Sequence, residues 1–254
     1  MVYRAWLLVG LGIFLGAASS AECRAAEPAD ATVAAKDLRI GNLRVNKVLF
    51  LGNSITLHGP APKIGWHGNW GMAASALEKD YVHLLTAQIA KSAGGEPEVK
   101  VRNIATFERS LDAGQLAEDL KDELAFNADV VIVAIGENAA GLTTDEDKAR
   151  FSTAFAALLA ELKSHGNPTI FVRSQFWANT PKDQRMKQAC LDAGGTYIDM
   201  SPHSSDNANY ARSEREFEHA GVANHPGDKG MQVLADEIWK AIKARSLAEQ
   251  TPQD

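Results

Sequence analysis

Asp129-Val130-Val131-Ile132-Val133-Ala134-Ile135 is the stretch whose reading decides the fold, and Gly136-Glu137-Asn138 follows it directly. Six apolar residues stand in a row without a polar interruption. A strand with one wet face alternates; an unbroken apolar run marks a strand buried on both faces, as in a parallel sheet. Outward from it, the same kind of run recurs. Lys47-Val48-Leu49-Phe50-Leu51 and Val99 to Ile104 lie upstream, Thr169 to Arg173 and Thr196 to Asp199 downstream. Helical stripes separate them. Tyr81, Leu84, Leu85 and Ile89 share one face, as do Leu116, Leu120 and Leu124. Phe151, Phe155, Leu158, Leu159 and Leu162 stripe a long helix with Thr144 as its N-cap. Lys182 to Ala193 reads as a helix, and Met231, Leu234, Ile238 and Ile242 mark the last one. This alternation predicts an α/β fold: a three-layer α/β/α sandwich around a mainly five-stranded parallel sheet, spanning residues 47–246.

The rest of the chain bounds the possibilities. Its 254 residues hold 45% apolar and 23% charged side chains, ordinary for a globular protein with one sizeable domain. No internal repeat or low-complexity block interrupts it. The net charge of −6 comes without a basic run, which argues against nucleic acid as a partner. Arg4, the apolar run Ala5 to Gly16 and the small residues Ala17 to Ala21 read as a signal peptide ending at Ala26. The run is shorter than the roughly 20 residues of a membrane span, so no stable membrane insertion is expected after cleavage. The expected location is secreted or periplasmic. Residues 27–46, rich in Ala, Asp and Lys, read as a flexible lead-in, and 247–254 as a tail. Removal of the leader takes Cys23 and leaves Cys190, which sits in a helical pattern and reads as a small buried residue.

Ligands of a parallel sheet bind beyond the carboxyl ends of its strands. Three polar blocks stand there. The first strand runs into Gly52-Asn53-Ser54-Ile55, where Gly52 permits a tight turn. The third runs into Gly136-Glu137-Asn138, whose amide can donate to an oxyanion. Before the last helix stands Asn224-His225-Pro226-Gly227-Asp228, with a loop histidine. Each block alone is compatible with an ordinary turn.

Together and in this order the three blocks resemble the SGNH/GDSL hydrolase family, over roughly Lys47 to Arg245. The resemblance implies a flavodoxin-like α/β/α fold and an ester hydrolase working through an acyl-enzyme. It implies Ser54 as nucleophile, His225 as general base and Asn138 as oxyanion donor, with Asn53 and Gly136 in the pocket loops. It implies neither metal nor cofactor, and the seven histidines are scattered without a short-spaced pair. Two departures stand out. Val222 occupies the place of the family's Asp three residues before the histidine. The base is then held by a backbone carbonyl, or by a carboxylate from elsewhere, with Asp206, Glu216 and Glu218 as candidates. After the second strand, Asn103-Ile104-Ala105-Thr106-Phe107-Glu108-Arg109 lacks the family's Gly, which moves the expected backbone donor to Phe107 or Glu108. The Glu108 side chain, beside Arg109, reads first as a solvated helix start and second as a carboxylate near the pocket.

The long stretch Leu57 to Asp80 follows the nucleophile and carries Trp66 and Trp70. These two either wall the pocket, where indole faces stack on sugar rings, or anchor the loop in the core. Trp177 is placed to reach the same rim. Arg173 ends the fourth strand and either binds a polar substrate group or pairs with Glu137 or Glu108. Secretion and the Trp-rich stretch point to a glycan ester or small-molecule ester substrate, with carbohydrate O-deacetylation foremost. The missing Asp keeps open a catalytically silent carbohydrate-binding protein on the same fold.

Overall fold

Alternate residues of each central strand face opposite sides, and the chain uses that period to build two cores. In the computed structural model, which describes residues 37–248, five parallel strands form the central sheet. They follow a short antiparallel hairpin, β1 (Arg39–Ile40) and β2 (Leu43–Arg44). The sheet strands are β3 (Lys47–Gly52), β4 (Glu98–Asn103), β5 (Val130–Ala134), β6 (Thr169–Arg173) and β7 (Thr196–Ile198). Their spatial order is β4-β3-β5-β6-β7, all neighbours parallel. The helices are α1 (Tyr81–Ala93), α2 (Ala105–Ser110), α3 (Leu116–Asp119), α4 (Lys121–Leu124), α5 (Asp145–Ser164), α6 (Thr180–Asp192), α7 (Ala220–Ala223) and α8 (Asp228–Ala248).

Val48, Phe50, Val130, Ile132 and Phe171 pack with Tyr81, Leu85 and Ile89 of α1 and Leu234 and Ile238 of α8. Leu49, Leu51, Val131, Val133 and Val172 point the other way, onto Phe151, Phe155 and Leu158 of α5 and Met186 and Cys190 of α6. The three-layer sandwich expected from the sequence is the observed architecture. Thr144 caps α5 as expected, and reciprocally: its Oγ1 accepts from Asp147 N at 3.1 Å and Asp147 Oδ2 accepts from Thr144 N at 2.9 Å.

Two differences from the sequence reading are local. The signal peptide and residues 27–36 of the lead-in lie outside the described residues, but 37–46 is no loose tether. Leu38, Ile40, Leu43 and Val45 are buried in the core that α1 and α8 share, and Asn42 N donates to Ser246 O. Four apolar residues spaced along a charged stretch are too few for a periodicity signal, yet enough for a hairpin. The Leu116–Leu124 stripe is two short helices broken at Leu120, although all three leucines stay buried. Cys190 is buried in α6, and burial pushes its thiol up to about 11. Among the described residues no helix is long and apolar enough to cross a membrane.

Strand order reverses between β3 and β5, because the chain leaves β3 for β4 on one side and returns to β5 on the other. That crevice is where such sheets bind ligands. Ser54 follows β3 and Asn138 follows β5, so the fold sets both at its edge.

Candidate active site

Gly52 closes β3 against Thr56. A Cβ at Gly52 would lie 1.8 Å from Thr56 Oγ1, so the demand for glycine there is steric. Beyond it Asn53 O accepts from Thr56 N at 3.0 Å and Leu57 N at 2.9 Å, and Asn53 Oδ1 accepts from Ile55 N at 3.1 Å. The Ser54 N–H has no acceptor among the described residues and is free for a ligand. The half-buried Ser54 Oγ lies 2.8 Å from His225 Nε2. His225 Nδ1 lies 2.7 Å from Gly221 O, in the single turn of α7. A carbonyl only accepts, so Nδ1 carries the proton and the lone pair of Nε2 faces the serine hydroxyl. Trp177 meets the imidazole edge to face, with centroids 5.4 Å apart, and its Nε1 donates to Asn224 O at 3.2 Å.

The Gly221 carbonyl takes the place that a carboxylate would fill. Asp206, Glu216 and Glu218 are all exposed, and Asp206 pairs with Lys229 at 3.0 Å. Val222 is 1% exposed and packs with Trp66, Met72 and Ala73. Burial therefore pushes the His225 pKa below its ordinary value, against a partial lift from the Gly221 carbonyl and the charge of Glu137.

The two strand-end loops meet over a buried polar cluster. Glu108, from α2, is 1% exposed. Its Oε1 accepts from Asn53 Nδ2 at 3.0 Å and Gly136 N at 2.5 Å, and its Oε2 accepts from Asn138 Nδ2 at 2.5 Å. The other proton of Asn53 Nδ2 goes to Glu137 Oε2 at 2.8 Å. Glu137 Oε1 accepts from Arg173 Nη1 at 2.7 Å and Phe176 N at 2.9 Å. Burial and the neighbouring Glu137 raise the Glu108 pKa. Burial acts the same way on Glu137, but the Arg173 guanidinium and the hydrogen bonds outweigh it and hold that carboxyl low. Gly136 sits at φ +121°, where a Cβ would come within 2.9 Å of Gln175 Cγ. The buried Lys182 ammonium bonds the carbonyls of Gly136 and Ala139 at 3.1 and 2.5 Å, pinning the loop that carries Asn138.

Several site expectations are corrected here. Glu108 is no solvated helix start; its carboxylate is enclosed because three donors converge on it. The expected backbone donors are spent or misplaced: Glu108 N donates to Ile104 O at 3.2 Å, and Phe107 does not line the pocket. The pocket is lined here by Ala105, the first residue of α2, whose N–H donates to Asn103 Oδ1 at 2.9 Å. Of the two readings of Arg173, pairing is the one observed: the side chain is fully buried against Glu137 and does not line the pocket. Neither Trp66 nor Trp70 lines the pocket. Their indole N–H groups donate to His58 O at 3.0 Å and Ala74 O at 3.1 Å, and the rings pack edge to face at 5.6 Å. They anchor the loop, which gives the pocket His58, Ile64 and Met72 instead. Lys182 escaped the sequence reading; a Lys at the start of a helix looks solvated until burial is known.

The resulting pocket of about 300 Å³ holds Ser54, His225 and Asn138, with Asn103, Arg109 and His219 on its polar side. A larger groove of about 720 Å³ between α5 and α6 is lined by residues such as Ala156, Ala160 and Ala189 and holds no nucleophile–base pair. A hydroxyl at 2.8 Å from an unprotonated imidazole nitrogen, facing a free N–H and an amide, can perform acyl transfer.

Known proteins agree with that chemistry. The family model of the GDSL-like Lipase/Acylhydrolase family matches residues 50–233. Among solved structures, one of a GDSL-like lipase from Parabacteroides merdae is 19% identical, with a TM-score of 0.54 over 81% of this chain and 99% of its own. A second, from Bacteroides uniformis, is 14% identical, with a TM-score of 0.51 over 79% of this chain and 96% of its own. A family two carbohydrate esterase from Clostridium thermocellum, solved in complex with cellohexaose, is 16% identical, with a TM-score of 0.51 over 83% of this chain and 65% of its own. No curated protein matches. With the matched region running from β3 into α8, and so through all three strand-end blocks, this chain belongs to the GDSL-like lipase/acylhydrolase family and is an ester hydrolase.

Proposed function

We propose that the protein is an exported carbohydrate esterase that removes short acyl groups through a Ser54–His225 dyad. One observation carries the reading: the 2.8 Å contact between Ser54 Oγ and a His225 Nε2 whose lone pair the Gly221 carbonyl leaves free. His225 takes the hydroxyl proton as Ser54 attacks the ester carbonyl. The Ser54 N–H and Asn138 Nδ2 stabilise the tetrahedral oxyanion; each such donor is worth roughly 10²–10³ in rate. The imidazolium then protonates the departing alcohol, and water, activated by the same nitrogen, releases the acyl group.

The substrate class rests on the pocket walls. Ile64, Met72 and Val222 offer a small apolar patch beside Ser54, suited to an acetyl group. His58, Asn103, Arg109 and His219 offer donors and acceptors for hydroxyls rather than a groove for a long acyl chain. The cellohexaose bound to the Clostridium thermocellum neighbour agrees with a glycan alcohol. Export rests on the leader-like segment at 1–26 and is checked by sequencing the N-terminus of protein recovered from the periplasm of a Gram-negative host.

The test uses p-nitrophenyl esters of increasing chain length and acetylated oligosaccharides. Acetyl esters should turn over fastest, and Ser54→Ala should abolish turnover. Unchanged turnover in that variant sinks the nucleophile assignment. Glycan binding by wild-type protein without any ester turnover would favour the silent binding protein.

A further inference from the structure

We propose that Glu108 is a positioning residue: its buried carboxylate sets which end of the Asn138 amide faces the pocket, and so supplies the oxyanion with its side-chain donor. This rests on the proposed roles of Ser54, His225 and Asn138. An asparagine amide has two ends of nearly equal size, and only the Nδ2 end can donate. In the opposite orientation Oδ1 would present lone pairs to a developing negative charge. Something must therefore tell the two ends apart. Here two oppositely charged neighbours in sequence do so. Glu108 Oε2 accepts one Nδ2 proton at 2.5 Å, while Arg109 Nη1 reaches toward Oδ1 at 3.5 Å. The second Nδ2 proton is left for a ligand.

The shorter of these contacts is also the buried one, and Glu108 has little freedom to move. Its Oε1 is tied to Asn53 Nδ2 at 3.0 Å and to Gly136 N at 2.5 Å. Asn53 directly precedes the nucleophile, and Gly136 opens the loop that ends in Asn138. One carboxylate thus joins the nucleophile turn to the oxyanion loop. The burden on Asn138 is heavier because Ala105 N–H, at the start of α2, is turned to Asn103 Oδ1.

Glu108→Gln separates orientation from packing. The variant keeps the size and shape of Glu108. Two donors face the Oε1 position, so the Gln oxygen must take that place, and its NH₂ must take the Oε2 place. There it meets Asn138 and can only donate, so the Asn138 amide turns its oxygen inward and its donor away from the oxyanion. The expected result is a fall in kcat of about 10²–10³, the loss typical of one oxyanion donor, with KM changed less than about threefold. Because both substitutions remove the same donor, Glu108→Gln added to Asn138→Ala should lower kcat little beyond Asn138→Ala alone. Losses that multiply, or Glu108→Gln retaining wild-type kcat, would overturn the proposal.

A measurement without turnover keeps the two proposals apart. In wild-type protein labelled with ¹⁵N, the short bond to a carboxylate should carry one Asn138 Nδ2 proton well downfield of its geminal partner. Glu108→Gln should bring it back. Two ordinary side-chain amide protons in wild type would overturn the proposal even if the variant does not fold. A normal Ser54→Ala rate would defeat the serine mechanism and leave this result standing.

Discussion

The two arms proposed to serve Ser54 are held in opposite ways. On the base side, His225 is oriented by one neutral backbone carbonyl and the edge of Trp177. On the oxyanion side, Asn138 rests on a buried network of Glu108, Asn53, Glu137 and Arg173, tied by charge-assisted bonds. The charge that a Ser–His–Asp arrangement spends on its histidine stands, in this chain, under the oxyanion donor. A carbonyl fixes the imidazole tautomer as well as a carboxylate does, but it does not neutralise the imidazolium that forms in the transition state. A buried charge cluster, by contrast, is rigid only while every member is present. The base arm should therefore tolerate change around the histidine, and the oxyanion arm should not.

The largest effect comes from the base itself. His225→Ala should lower kcat by about 10⁶, as loss of a base that acts as one unit with its serine does. Initial-rate kinetics check it, and a small loss would mean that Ser54 is activated from elsewhere. Next comes the foundation of the other arm. Arg173→Leu leaves the Glu137 carboxylate buried without its cation and should cost roughly 3–5 kcal/mol of folding stability. Urea denaturation reads it. A loss below about 1 kcal/mol, the range of a surface ion pair, would show that the cluster is not the rigid element described here.

This contrast also explains what the sequence disclosed. The sheet, its two helical layers and the placement of Ser54, Asn138 and His225 were legible because apolar period and strand-end position are written residue by residue. The partner of His225 was legible only as a gap at Val222. Every residue has a carbonyl, so nothing marks Gly221 as the acceptor. The Glu108 cluster was hidden because its members lie 28 to 84 residues apart in the pairs that bond and look like surface charges singly. Asn53 carried a signal in retrospect. Its amide donates to two carboxylates at once, which a carboxylate in that place could not do. Trp66 and Trp70 stayed open between two readings because composition does not tell a stacking face from a buried one.

A third expectation concerns pH. Burial lowers the His225 pKa, and among the described residues a neutral carbonyl, not a carboxylate, bonds its Nδ1. The base works only when neutral, so activity should persist as pH falls and be lost only as His225 protonates. The acid limb of kcat/KM should have its midpoint below about 6.5, the ordinary histidine value. A midpoint above that value would reveal a carboxylate partner and break the comparison between the arms. The limb is read in kcat/KM because that profile reports the free enzyme, whereas kcat reports the enzyme–substrate complex.

The smallest effect tests the tolerance of the base arm. Trp177→Ala removes the ring edge that meets His225 and the bond to Asn224 O. An aromatic contact of this kind contributes about 0.5–1.5 kcal/mol, so kcat/KM should fall by about twofold to tenfold. The carbonyl of Gly221 still holds Nδ1, so the tautomer and the 2.8 Å contact to Ser54 persist and the pH midpoint should stay where it is. A loss as large as that expected for Glu108→Gln would mean that the indole, and not the carbonyl, orients the imidazole. The two arms would then differ in chemistry but not in how tightly they are held.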